Sequence, residues 1–122
     1  MMREILFHGK QTDGEKWVEG NLIRYLNGKA AILELGGLKI FSVDPDTVGQ
    51  FTGWFDRNGK RIFEGDVAAA ENGKRYEIKF AEGSFYLDGT SSIIRNPNKL
   101  TINRFTIIGN IHDHPEWIGG GL

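Results

Sequence analysis

Residues 16–43 read Lys16-Trp17-Val18-Glu19-Gly20-Asn21-Leu22-Ile23-Arg24-Tyr25-Leu26, then Asn27-Gly28, then Lys29-Ala30-Ala31-Ile32-Leu33-Glu34-Leu35, then Gly36-Gly37, then Leu38-Lys39-Ile40-Phe41-Ser42-Val43. Three runs carrying β-branched and aromatic side chains are separated by two-residue glycine turns, which is the pattern of an antiparallel meander. Asn-Gly recurs at Asn58-Gly59 and Asn72-Gly73. A type I′ turn, with positive φ at both central residues, is the reading for all three. Glycine is abundant at 17 of 122 residues and proline scarce at 3, as expected of short strands joined by tight turns.

Working outward, an earlier strand is expected over Arg3 to Lys10. Asp44-Pro45-Asp46-Thr47 breaks the meander, and Asp46 is placed to cap one short helical turn through Thr47–Gln50. The polar, turn-rich segment 53–66, with Gly53, Asp56, Asn58-Gly59 and Gly65, reads as a connection between two halves. Beyond it, Val67–Ala70, Tyr76–Phe80 and Phe85–Leu87 form a second short meander. Asn96-Pro97-Asn98 interrupts the chain, and Leu100–Ile111 closes it with apolar Ile107 and Ile108 before Gly109. No segment keeps i, i+3, i+4 apolar spacing over three turns, so no long helix is expected. The predicted class is mainly β, or β-rich α+β with short helices only. A single compact domain, 1–122, is expected, made of two closely packed antiparallel lobes over 1–52 and 53–122.

Composition narrows the function classes. With 39% hydrophobic and 25% charged residues the chain belongs with globular proteins. No apolar run reaches the ~18 residues of a membrane span. No signal-peptide core follows Met1-Met2-Arg3-Glu4, and cysteine is absent, so the expected compartment is the cytoplasm. Fifteen basic against sixteen acidic residues, net −1, exclude a general coat for nucleic acid or membrane.

Candidate chemistry is sparse. Asp44/Asp46 around Pro45 and Glu64/Asp66 around Gly65 are carboxylate pairs, and that spacing around a turn former also describes structural turns, which is the preferred reading. His112, His114 and Glu116 would share one face of an extended chain and offer two imidazoles and a carboxylate to zinc or iron. Between Asp88 and Asp113 there is no acidic residue, while Arg95, Lys99 and Arg104 lie there among Asn96, Asn98 and Asn103, a possible phosphate-contacting stretch. Trp54-Phe55 is an aromatic pair in the connecting segment, either an interior plug or a partner-binding anchor. No Gly-x-Ser-x-Gly, Walker loop or Gly-x-Gly-x-x-Gly motif occurs. No cofactor is expected.

The run Val43-Asp44-Pro45-Asp46-Thr47-Val48-Gly49-Gln50-Phe51-Thr52-Gly53, continued by Asp56-Arg57-Asn58-Gly59-Lys60-Arg61-Ile62-Phe63-Glu64-Gly65-Asp66-Val67, resembles the YopX family of phage and prophage proteins. Arg3–Lys10 with Trp17–Leu22, and Ile108-Gly109-Asn110-Ile111 with Pro115-Glu116, look like that family's two ends. The resemblance implies a β fold and a phage or prophage origin, and it carries no catalytic residues. His112 and His114 depart from the family's usual residues, which counts against a metal site. Glu64-Gly65-Asp66 before Val67 looks like the opening turn of a small SH3-like barrel over 62–111.

Three functions remain open. The leading one is a non-enzymatic phage accessory protein that binds another protein or itself, because exposed strand edges favour such pairing. The second is nucleic-acid binding through the acid-free stretch 89–112. The third is a small metal-dependent enzyme on His112, His114 and Glu116.

Overall fold

A computed structural model describes residues 5–118 of the chain. Among the described residues the elements are β1 (Phe7–Lys10), β2 (Trp17–Arg24), β3 (Ala30–Glu34), β4 (Ile40–Val43), β5 (Gly49–Phe55), β6 (Arg61–Phe63), β7 (Asp66–Ala69), β8 (Arg75–Ala81), β9 (Ser84–Gly89), β10 (Ile93–Arg95) and β11 (Thr106–Asn110). A four-residue helix, α1 (Lys99–Ile102), and two 3-10 turns, Pro45–Thr47 and Pro115–Trp117, accompany them. The predicted β-rich class is what the chain adopts. Arg3 and Glu4 of the expected first strand, and the Gly119-Gly120-Gly121-Leu122 tail, lie outside the described residues.

The strands form two antiparallel sheets, ordered β4-β3-β2-β1-β5-β6 and β10-β9-β8-β7-β11. The chain divides into two compact units, Met1–Phe51 and Thr52–Leu122, with the division falling inside β5. In the first unit the meander pairs Leu22 with Ile32 and Ile32 with Phe41. Its inward residues Val18, Ala30, Ile32 and Val43 form the core, with Leu22, Phe41 and Val48 packed against them. Burial of an isoleucine such as Ile32 contributes about 1.5–3 kcal/mol. In the second unit Ile62, Ala68, Tyr76, Ile78, Leu87, Ile102, Phe105 and Ile107 make the core. The Tyr76 ring meets Phe105 edge-on at 5.5 Å.

Several local expectations are corrected. At each Asn-Gly site only the glycine is left-handed, with φ of 88°, 79° and 86° at Gly28, Gly59 and Gly73. Gly28 N–H donates to the Tyr25 carbonyl and Tyr25 N–H to Lys29, and the same pair of bonds recurs at Asp56/Gly59/Lys60 and Ala70/Gly73/Lys74. These are three-residue loops closed by a left-handed glycine, not two-residue type I′ turns. Asp44, not Asp46, caps the first 3-10 turn: its Oδ1 accepts from Asp46 N–H at 3.0 Å, and Pro45, with its φ already near the helical value, starts the turn. Thr47 ends that turn, and residues 49–55 are strand, so segment 53–66 is a hairpin of β5 and β6 instead of a connection. Within the closing stretch Asn98 Oδ1 accepts from Thr101 N–H at 2.9 Å and opens α1, ahead of β11.

The SH3-like barrel over 62–111 is not formed. Closure requires the outermost strands of the five-stranded sheet, β10 and β11, to pair, and they do not. On β11 the Ile107 N–H is taken by a side chain, Asp56 Oδ2 at 2.9 Å. A carboxylate thus occupies an edge position that a strand would need.

Candidate functional site

Two concavities of the second unit lie on either side of α1. One, of about 410 Å³, is lined by Ala70, Glu71 and Asn72 from the β7–β8 turn, by Ile94 of β10, and by Asn98, Leu100, Thr101, Arg104 and Phe105. The other, of about 280 Å³, is lined by Gly53, Trp54, Phe55, Lys99, Ile102 and Asn103. The helix exists because Asn98 caps it and Ile102 is buried in the core. With a single turn and one buried residue, it leaves Leu100 outward at 77% exposure. Leu100 thus stands exposed beside the first hollow, with the second across the helix.

Two groups of candidate residues that are far apart in sequence meet here. Lys99 shares its hollow with Trp54 and Phe55, while Arg104 lies across the helix beside Glu71. Trp54 is half-buried against the core and meets Phe85 edge-on at 6.1 Å, whereas Phe55 is 45% exposed. Of the aromatic pair, Trp54 packs inward and Phe55 stands exposed. Arg95 lines neither hollow; its guanidinium lies over the Tyr86 ring at 4.9 Å. The three bases therefore do not line a common hollow, and Glu71, which pairs with Arg57 at 3.9 Å, adds an acid to the Arg104 wall.

His112, His114 and Glu116 are not on an extended chain, and of the three His114 and Glu116 are in contact, at 3.2 Å. Asn110 Oδ1 accepts from the N–H groups of His112 and Asp113, coiling the chain, and Pro115 then starts a 3-10 turn. Among the described residues no three His, Asp or Glu side chains are grouped to hold a metal ion. His114 instead stacks on Trp117 at 3.9 Å, with Arg75 over the same indole at 5.2 Å. The Glu116 carboxyl lies below its ordinary range, first because of a backbone hydrogen bond and then because of the His114 ring, 3.2 Å away.

The remaining carboxylate pairs sit in turns. Gly65 has φ 93°, and the buried Asp66 accepts the Phe63 N–H through Oδ2 at 2.8 Å. Gly65 N–H donates to Ile78 and its carbonyl accepts from Ile111, so this turn ties β8 to the end of β11. Asp44 holds the Pro45–Thr47 turn, and the exposed Asp46 supplies only its backbone N–H to that bond.

On the sheet face opposite the core, Glu77 and Asp88 are cross-strand partners. Lys79 Nζ is 2.8 Å from Asp88 and 4.0 Å from Glu77. Burial pushes the Glu77 carboxyl up, opposed by Lys79 and reinforced by Asp88 and Glu64. The hydrogen bond to Asp88 raises the Lys79 ammonium. The sequence carried a signal for this cluster: period-two alternation in Arg75–Ala81 and Ser84–Gly89 places Glu77, Lys79 and Asp88 outward together. Leu100 gave no such signal, since an apolar residue before Thr101-Ile102 fits a strand equally well.

No helix among the described residues is long and apolar enough to cross a membrane. No curated protein matches the sequence. Among solved structures, the chain is similar to protein EF1440 from Enterococcus faecalis, with a TM-score of 0.62 and 22% identity over 97% of this chain and 100% of that one. At that identity the likeness concerns the fold alone. The family model described as YopX protein matches residues 7–119, which takes in both sheets, the Gly65 turn and both hollows beside α1. The chain belongs to the YopX family.

Proposed function

We propose that this chain is a non-enzymatic accessory protein of phage or prophage origin that works in the bacterial cytoplasm by binding a protein partner through the α1 surface. The observation that carries the reading is Leu100, exposed at the crest of a one-turn helix between two hollows that hold Phe55 and Ile94. Exposed aliphatic and aromatic groups beside a few polar ones suit a protein surface better than a phosphate backbone. Glu71 in the Arg104 wall opposes phosphate contact.

The test is capture from an extract of cells carrying the parent phage or prophage, with wild type and Leu100→Asp compared, alongside sedimentation over a range of concentrations. Loss of a specific captured protein in Leu100→Asp, with the variant still folded, supports the reading. Concentration-dependent dimerisation abolished by the same substitution would make the partner a second copy. Binding of DNA or RNA that weakens steeply with salt and ignores Leu100→Asp would replace the reading with the nucleic-acid one.

A further inference from the structure

We propose that the partner docks by adding an extended segment to the open edge of β10, with an apolar residue facing Ile94 and a carboxylate facing Arg95. This rests on the protein-binding reading above. Among the described residues β10 is the terminal strand of its sheet and pairs with β9 alone, Ile93 with Asp88, Ile94 with Leu87 and Arg95 with Tyr86. The Gly89 N–H to Ser92 carbonyl bond at 2.8 Å sets the alternation of that hairpin. In an antiparallel ladder bonded and non-bonded pairs alternate. Residues 89 and 92 bond each other, so 87 and 94 do as well, and the backbone groups of Ile93 and Arg95 point outward. The edge therefore offers donors and acceptors at two residues, the arrangement used in recognition by strand addition.

Side-chain faces then dictate the segment's chemistry. Ile94 lies on the same face as Leu87, packed against the core and lining the 410 Å³ hollow with Ala70, Leu100 and Phe105. A residue laid opposite Ile94 sends its side chain into that hollow, so it is apolar. Its neighbour, opposite Arg95, falls on the other face beside a guanidinium held over the Tyr86 ring. A carboxylate fits there, because it meets the Arg95 guanidinium while the acids of that face, Glu77 and Asp88, are paired with Lys79. A second copy of β10 is the poorer occupant, since it brings two Arg95 side chains onto one face. Asn96 at φ 49° and Pro97 end the strand after three residues, which limits docking to a short segment and keeps the edge from unlimited pairing.

The test uses fluorescence anisotropy with the full chain and a labelled peptide Ser-Thr-Asp-Leu-Asp-Thr-Ser at up to millimolar concentration. Three controls accompany it: the same peptide with both Asp replaced by Lys, the same peptide N-methylated on both Asp, and the variant Arg95→Glu. Expected are binding of the parent peptide, at least about tenfold weaker binding of the Lys and N-methyl forms, and a reversed Asp/Lys preference in Arg95→Glu. Amide shifts confined to Ile93–Arg95 and the α1 hollow should accompany binding in NMR spectra. No binding of the parent peptide, or equal affinity for the N-methylated form, overturns strand addition. If Leu100→Asp still abolishes capture in that event, the protein-binding reading stands and only this docking mode falls.

Discussion

Asp56 shows how one side chain can tie a hairpin of one sheet to a strand of the other. It is buried, its Oδ1 accepts from the N–H groups of Asn58 and Lys60, and its Oδ2 accepts from Ile107, 51 residues away. Asp56→Ala leaves the buried Ile107 amide without an acceptor, and the expected loss is about 3 kcal/mol in urea denaturation, the scale of hydrogen bonds to a charged group. Asp66→Ala removes the acceptor of the Phe63 N–H and should cost about 1–2 kcal/mol, and Gly65→Val more, because a β-branched residue is strained at φ 93°. Glu77 works in the opposite direction. Burial raises its folded-state pKa, so the folded state holds its proton more tightly than the unfolded chain. Stability from this group therefore rises as pH falls through the raised folded pKa towards the unfolded value, and drops as pH rises through that window. Glu77→Gln should be more stable than wild type at neutral pH and lose this slope, so thermal melts across pH 4–8 should give profiles that lie close at the acid end and separate as pH rises. A Glu77→Gln protein that is less stable at pH 7 would mean that attraction to Lys79 outweighs burial.

At the scale of elements, glycines serve two different ends. Gly28 closes the β2–β3 hairpin at φ 88°, with open space where a Cβ would stand. Gly28→Ala therefore costs only the backbone term, about 1–2 kcal/mol. Gly20 lies within β2, where a Cβ would run into the backbone carbonyl of Leu33 on β3. Gly20→Ala must push two paired strands apart, so its cost should exceed that of Gly28→Ala, as comparison of denaturation midpoints would show. The turn at Gly28 was visible in the Asn-Gly dipeptide, although its loop length was not, because the dipeptide says nothing of how far the strands extend. Asn58-Gly59 carried the same signal for β5 and β6. It was outweighed by the polar residues around it, whose roles become clear only with Asp56 pointing inward. The requirement at Gly20 was invisible, since Gly20 and Leu33 are neighbours only once β2 and β3 pair.

For the whole molecule, a net charge of −1 with both signs interspersed offers no broad field for phosphates. Affinity for duplex DNA near ~0.15 M salt should be no tighter than the non-specific range of about 10⁻⁴–10⁻⁶ M, measured by anisotropy with a salt series. The class of fold was legible because it depends on local quantities: period-two alternation, β-branched content and glycines at left-handed turns. By itself the sequence determined a meander over residues 16–43, a second after Val67, and membership of a family through the run from Val43 to Val67. Tertiary structure alone decided that Asp56 blocks the β11 edge, that the second sheet stays open, and that Lys99 joins Trp54 and Phe55 while Arg104 joins Ile94 and Leu100. Each of these depends on strands and a helix separated by tens of residues coming together. Local patterning selects which residues face inward, but not which distant residue they will meet.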